Sequence, residues 1–262
     1  MTTSIKDQDS RQSLELGLGL GLALVTGGSR GIGRSIALRL ARDGWTVAIA
    51  YASKVEEANA VATAITDTGG RAFIVKADIS QSSEVTQLFQ TIGRRPEPLK
   101  VVVNNAGVNS ERPMNMVETS DEEFDRLFNI NARGAFLVMR EAARSIDRNG
   151  RIINVSTSVT KLNLPGYSAY AGSKAAVESF TKILSKELRG RNITVNAISP
   201  GPTDTDLFRQ GKTEADLNRF AMMSPLERLG TPNDIAGIAS FLASNDGSWV
   251  NGQVIPVNGG LI

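Results

Sequence analysis

The stretch "LALVTGGSRGIGRSIALRL", Leu22 to Leu40, decides the fold. It opens as a short apolar run of strand length and closes with apolar residues at helical spacing; glycines at 27, 28, 31 and 33 separate the two. A strand that enters a helix through glycines presents backbone N–H groups at a helix N-terminus, where the macrodipole also favours anions. Gly27, Gly31 and Gly33 follow the pattern T-G-x-x-x-G-x-G, with Ser29, Arg30 and Ile32 between them. Such a turn suits the pyrophosphate of a dinucleotide. The adjacent run "GLGLGL", Gly17 to Leu22, does not: its third position is Leu22, and a strand follows it. It reads as a flexible run feeding the first strand.

Working outward, the same alternation repeats. "TVAIAYA", "RAFIVKAD", "LKVVVNNAG", "GRIINVST", "ITVNAISPG" and "QVIPVNGG" read as strands, and amphipathic helical segments lie between most of them. A long helical zone, "SDEEFDRLFNINARGAFLVMREAARSI", is opened by a capping box at Ser120 and Glu123. Thr231 caps a late helix with Pro232 at its first position. Continuous apolar strands alternating with helices predict a parallel sheet covered on both faces, an α/β doubly wound Rossmann-type domain with seven strands. The expected organisation is a flexible leader over 1–21 and one dinucleotide-binding domain over 22–262. The stretch from Leu207 to Gly230 mixes apolar anchors with charge. It reads as a lid over substrate or as a plain surface helix pair.

Composition narrows the chemistry. The chain of 262 residues has neither histidine nor cysteine. Disulfides, thiolate nucleophiles, imidazole bases and the common zinc sites are therefore excluded, and no metal is expected. Acid–base work falls to Tyr, Lys, Ser, Thr or carboxylates. Net charge is only +2 and the cations are scattered, so no nucleic-acid partner is expected. The longest apolar run near the start, Leu16 to Val25, is half a membrane span, and acids precede it. The expectation is a cytoplasmic protein without membrane attachment.

The second strand ends "AIAYASK", with no carboxylate from Ala50 to Lys54 to clamp a ribose 2′-hydroxyl. Ala52, Ser53, Lys54 and the loop cation Arg30 offer a 2′-phosphate a better site, so NADP(H) is favoured over NAD. Further along, "VSTSVTKLNLPGYSAYAGSK", Val155 to Lys174, carries three consecutive hydroxyls, two tyrosines and a lysine. Tyr170 and Lys174 are four apart on a helix and share a face. An ammonium beside a phenol stabilises the phenolate and lowers its pKa, which makes an acid–base pair near neutral pH.

Taken in order, "TGGSRGIG", "NNAG", "NINARGAF", Tyr170-x-x-x-Lys174 and "SPGPTDT" resemble the short-chain dehydrogenase/reductase superfamily, from about Leu22 to the C-terminus. The nearest resemblance is to NADPH-dependent 3-oxoacyl-carrier-protein reductases and related aldehyde and ketone reductases. The resemblance implies that Tyr170 is the acid/base, that Lys174 lowers its pKa and holds the nicotinamide ribose, and that Asn131 maintains a relay water. It implies cofactor contacts at Asp78 and Ile79, at Asn105, Ala106 and Gly107, and at Pro200, Gly201, Thr203 and Thr205. The family's substrate-binding serine lies thirteen residues before the tyrosine, and here that position is Thr157, flanked by Ser156 and Ser158. Threonine has the same donor and acceptor capacity, and a bulge would bring either serine in instead. Tyr167 would shape the substrate pocket or simply pack. The activity implied is NADPH-dependent reduction of a small-molecule carbonyl by a homotetramer. The alternatives are an alcohol or sugar dehydrogenase working oxidatively, and a non-catalytic NADP-sensing protein.

Overall fold

A computed structural model describes residues 19–262. Most of the expected leader, with Gly17 of the "GLGLGL" run, lies outside the described residues; Gly19 and Leu20 form a turn into the first strand.

The chain alternates as the apolar pattern requires. The elements are β1 (Leu22–Thr26), α1 (Gly31–Arg42), β2 (Thr46–Tyr51), α2 (Val55–Thr66), β3 (Arg71–Lys76), α3 (Ser82–Gly93), β4 (Leu99–Asn104), α4 (Asp121–Leu127), α5 (Ala135–Ser145), β5 (Arg151–Val155), α6 (Val159–Leu162), α7 (Ser168–Glu187), β6 (Thr194–Pro200), α8 (Asp206–Arg209), α9 (Glu214–Met222), α10 (Pro232–Ala243) and β7 (Val254–Val257). The seven strands form one sheet in the order β3-β2-β1-β4-β5-β6-β7, and every pairing is parallel. β1, β5 and β6 are buried at every position, as strands covered on both faces must be.

Two apolar layers sandwich the sheet. One packs Leu24, Val102 and Ile152 against α3, α5 and α7. The other packs Val25, Val103 and Ile198 against α1, α2 and α10. Burying each such side chain stabilises the fold by about 1.5–3 kcal/mol. The order reverses between β1 and β4, and at that switch the strand ends splay to leave a crevice, the usual ligand position in such sheets.

Two sequence expectations are corrected. The zone from Ser120 to Ile146 is not one regular helix, because Phe128–Gly134 winds as a π-helix between α4 and α5. The capping box at its start is half formed. Ser120 accepts from the Glu123 N–H at 3.3 Å, but the Glu123 carboxylate turns away to pair with Arg126 at 2.7 Å. A bidentate guanidinium is the stronger partner for that carboxylate. At Thr231 the box is complete.

Candidate active site

The glycine turn takes its shape from how closely its backbone packs. A side chain at Gly33 would sit 2.2 Å from the Gly27 carbonyl oxygen, and one at Gly27 would sit 2.9 Å from the Ala106 Cα, with φ at +61°. Asn105 stitches this turn to the end of β4. Its side-chain amide donates to the carbonyls of Thr26 (3.0 Å) and Gly27 (3.1 Å), and the N–H groups of Asn105 and Ala106 converge on Thr26 Oγ1. The α1 N-terminus has no side-chain cap of its own, since Arg30 at the cap position offers none. Its first N–H groups face the crevice, the arrangement that a phosphate completes.

Of the residues proposed from sequence, all but Asn131 line one continuous cleft of about 460 Å³. Its floor is Gly27, Ser29, Arg30, Gly31, Ile32 and Gly33, and one end is formed by Ala52, Ser53 and Lys54 with Tyr51. Asp78, Ile79, Asn105, Ala106 and Gly107 follow, then Thr157, Tyr170 and Lys174, and finally Pro200, Gly201, Thr203 and Thr205. Asp78 Oδ1 accepts from both the N–H and the hydroxyl of Ser80. The threonines have local bonds as well: Thr203 donates to the Gly201 carbonyl and Thr205 accepts from Phe208 N–H.

Asn131 lies behind the cleft, fully buried. Its amide donates to the Val108 carbonyl (2.9 Å) and towards Ser173 Oγ (3.2 Å), and its oxygen accepts from Val108 N–H (2.8 Å). The π-helix holds it there. Because Gly107 lacks a side chain, Asn131 Oδ1 and Lys174 Nζ each approach to within 3.1 Å of where its Cβ would be.

The three hydroxyls separate cleanly. Ser156 donates to Glu178 at 2.7 Å. Ser158 donates to the Ser199 carbonyl and accepts from Asn258. Thr157 is the one whose hydroxyl acts on the Tyr170 phenol, where it favours the ionised form. β5 ends at Val155, yet the Ser156 and Ser158 N–H groups still bond β6 carbonyls, so the extended path continues with no bulge to bring a serine in.

The electrostatics differ from the sequence expectation. Burial raises the Tyr170 phenol above its ordinary range; the Thr157 hydrogen bond opposes this, and nearby Tyr167 adds to it. Lys174 turns to the backbone. Its ammonium donates to the Val155 carbonyl at 2.9 Å, and burial pulls its own pKa down to about 8. The physical reason is partial desolvation at Tyr170 and near-complete desolvation at Lys174, which disfavours the charged form of each.

Sequence reasoning missed part of the lining. Val108, Asn109, Ile130, Val159, Leu162 and Leu164 form the far wall beside Tyr167. Leu207, Phe208, Lys212, Phe220 and Met223 cover it. Phe208 meets Phe220 edge-on at 5.4 Å, and the Lys212 ammonium lies 4.7 Å from the Phe208 ring centre. The "LNLPG" turn before α7 was the available signal for Leu162 and Leu164.

A doubly wound sheet, a glycine phosphate turn at its switch point and a Tyr–Lys–Thr group on one cleft together define a dinucleotide-dependent oxidoreductase. A family profile described as enoyl-(acyl carrier protein) reductase matches residues 27–262. A short-chain type dehydrogenase/reductase of Picea abies is 48% identical over 94% of this chain and 93% of its own. An Arabidopsis thaliana protein named NADPH-dependent aldehyde reductase-like, chloroplastic, is 43% identical over 94% of this chain and 96% of its own. Among solved structures, a short-chain dehydrogenase from Burkholderia cenocepacia J2315 in complex with NADP superposes with a TM-score of 0.85. It is 35% identical, over 91% of this chain and 96% of that one. The chain belongs to the short-chain dehydrogenase/reductase family.

Proposed function

We propose that the protein is an NADPH-dependent carbonyl reductase in which Tyr170 is the general acid and Thr157 its partner on the substrate oxygen. The observation that carries this reading is that Thr157 and Tyr170 line the same cleft, with the Thr157 hydroxyl acting directly on the phenol. Two hydroxyls together on one cleft can both turn to a carbonyl oxygen, polarise it and stabilise the charge that develops there. Burial keeps the Tyr170 phenol protonated near neutral pH, so it has a proton to give.

The cleft fits the cofactor. The Gly27–Gly33 turn and the uncapped α1 N-terminus would hold the pyrophosphate, and Arg30, Ser53 and Lys54 the 2′-phosphate. Asp78 and Ile79 would flank the adenine, Asn105 to Gly107 the ribose side, and Pro200, Gly201, Thr203 and Thr205 the nicotinamide end. NADPH, when bound, supplies the hydride. Lys174 would hold the ribose, and Asn131 braces the Lys174 end through Val108 and Gly107.

The stretch 207–230 is proposed as the substrate lid, because Leu207, Phe208, Lys212, Phe220 and Met223 all reach the cleft. A homotetramer through α4, α5 and α7 is proposed from the half-exposed Phe124, Phe136 and Ile183; light scattering tests it. Among the described residues no helix is long and apolar enough to cross a membrane. A cytoplasmic location is part of the proposal, tested by fractionation.

The deciding experiment is an NADPH-oxidation assay on a panel of aldehydes, cyclic ketones, quinones, sugars and 3-oxoacyl thioesters, repeated with Tyr170→Phe. Turnover is expected to fall by about 10²- to 10⁴-fold in the variant, with NADPH binding retained. Full activity in Tyr170→Phe overturns the assignment.

A further inference from the structure

The segment that delivers Thr157 to the site is laced to α7 residue by residue. Asn154 donates to Thr181 Oγ1 at 2.9 Å. The Val155 carbonyl accepts from Lys174 at 2.9 Å, and Ser156 donates to Glu178 Oε1 at 2.7 Å. Thr157 meets Tyr170. Thr160, at the start of α6, donates to the same Glu178 oxygen at 2.9 Å and lies 2.9 Å from the Thr157 carbonyl. Tyr170, Lys174 and Glu178 are spaced four apart along α7, so the helix that carries the acid also carries both fasteners.

We propose that Glu178 is a positioning residue for the reduction: its carboxylate clamps Ser156 and Thr160, on either side of Thr157, and so aims the Thr157 hydroxyl at the reacting oxygen. Two observations give this content beyond packing. Glu178 takes the Ser156 hydroxyl and the Ser199 carbonyl takes that of Ser158, which leaves Thr157 the one of the three consecutive hydroxyls free to serve the cleft. In addition, Val159 N–H donates to Thr157 Oγ1 at 3.3 Å. That bond occupies a lone pair and leaves the Thr157 O–H to donate outward, and it forms only while the 156–160 turn keeps its shape. A carboxylate that accepts two hydroxyl bonds makes them charge-assisted and short, which suits it to hold such a turn.

The inference rests on the reading of Thr157 and Tyr170 as the polarising pair, and the experiment separates the two. Glu178→Ala, Thr157→Val and the double variant are assayed with NADPH and the carbonyl of the panel turned over fastest. Alone, Glu178→Ala is expected to lower kcat by about tenfold, since small misplacements of a reacting group have effects of that order or larger, with the KM for NADPH unchanged. Glu178→Gln keeps an acceptor oxygen and is expected to lose less than about threefold. In the Thr157→Val background, Glu178→Ala is expected to cost nothing further, because its effect runs through the missing hydroxyl. A further tenfold loss in that background, or no loss from Glu178→Ala alone, overturns the proposal. Full activity in Thr157→Val overturns the reading beneath it. Should Glu178→Ala fail to fold, Ser156→Ala takes its place in the same cycle, with the same outcomes.

Discussion

Lys174 donates its ammonium to the Val155 carbonyl, at 2.9 Å, and thereby ties the helix that carries Tyr170 to the strand that leads to Thr157. Burial has pulled this lysine down to about 8 from its ordinary 10.5. Between those values the unfolded chain keeps the proton that the folded chain has released, so stability rises with pH across that window. Below about 8 both states are protonated, and the cost of burying the ammonium is carried in full. Tyr170 acts in the opposite direction, but only above its ordinary 10.0, where the unfolded chain ionises first. Melting curves from pH 7.5 to 10 should therefore show a positive slope that Lys174→Met removes. An unchanged slope would place the titrating group elsewhere.

Thr157→Val keeps the shape of the side chain and removes its hydroxyl. Loss of one donor aimed at a developing oxyanion typically costs about 10²- to 10³-fold in kcat, and a loss of that order is expected here, while Thr157→Ser stays close to wild type. Ser158→Ala breaks bonds to Ser199 and Asn258. It should lower the melting temperature far more than it lowers kcat, which steady-state assays beside calorimetry would show.

What was legible in the sequence, and what was not, follows from which interactions are local. The phosphate turn could be read because its glycines answer to backbone geometry within seven residues: Gly33 must be bare to pass the Gly27 carbonyl. Thr157 could be singled out by counting back from Tyr170 with the spacing that the family resemblance implies; the structure puts both on one cleft. The π-helix around Asn131 could not be read, because an extra residue per turn leaves no composition signal and is settled by Val108 and Ser173 far along the chain. Glu178 was invisible for a similar reason: on a helix it is one more carboxylate until the fold brings Ser156 and Thr160 to it. The Tyr–Lys expectation weighed only the charge of a neighbouring ammonium; burial acts on Tyr170 in the opposite direction, and no sequence spacing shows burial.

Gly33→Ala tests the cradle without touching the acid. Its Cβ would fall 2.2 Å from the Gly27 oxygen and 2.5 Å from Asn105 Nδ2. Relieving such overlap costs about 1–3 kcal/mol. NADPH affinity is expected to weaken by about tenfold or more, read by fluorescence titration, with the residual activity recovered at saturating NADPH.

Cofactor choice should turn on the end of β2. Arg30→Ala is expected to raise the KM for NADPH by about tenfold, the usual size of one charged hydrogen bond, and to leave that for NADH nearly unchanged. Ala52→Asp puts an acid where a ribose clamp would stand and should repel a 2′-phosphate, which shifts preference towards NADH. Parallel titrations with both nucleotides decide the point; equal losses for both would mean that these residues do not sense the phosphate.

Phe208→Ala tests the substrate end of the cleft apart from cofactor binding. The Phe208 ring reaches the cleft from α8, edge-on to Phe220 at 5.4 Å and beneath the Lys212 ammonium at 4.7 Å. If the 207–230 stretch closes over substrate, Phe208→Ala removes apolar wall at the far end while leaving the glycine turn intact. A lost apolar contact of this kind is worth about 1–3 kcal/mol in discrimination. The expected result is a KM for apolar carbonyls raised by about tenfold or more, with hydrophilic aldehydes far less affected and NADPH binding unchanged. Equal effects on both substrate classes would make the segment a surface helix pair, packed against the cleft without shaping what enters it.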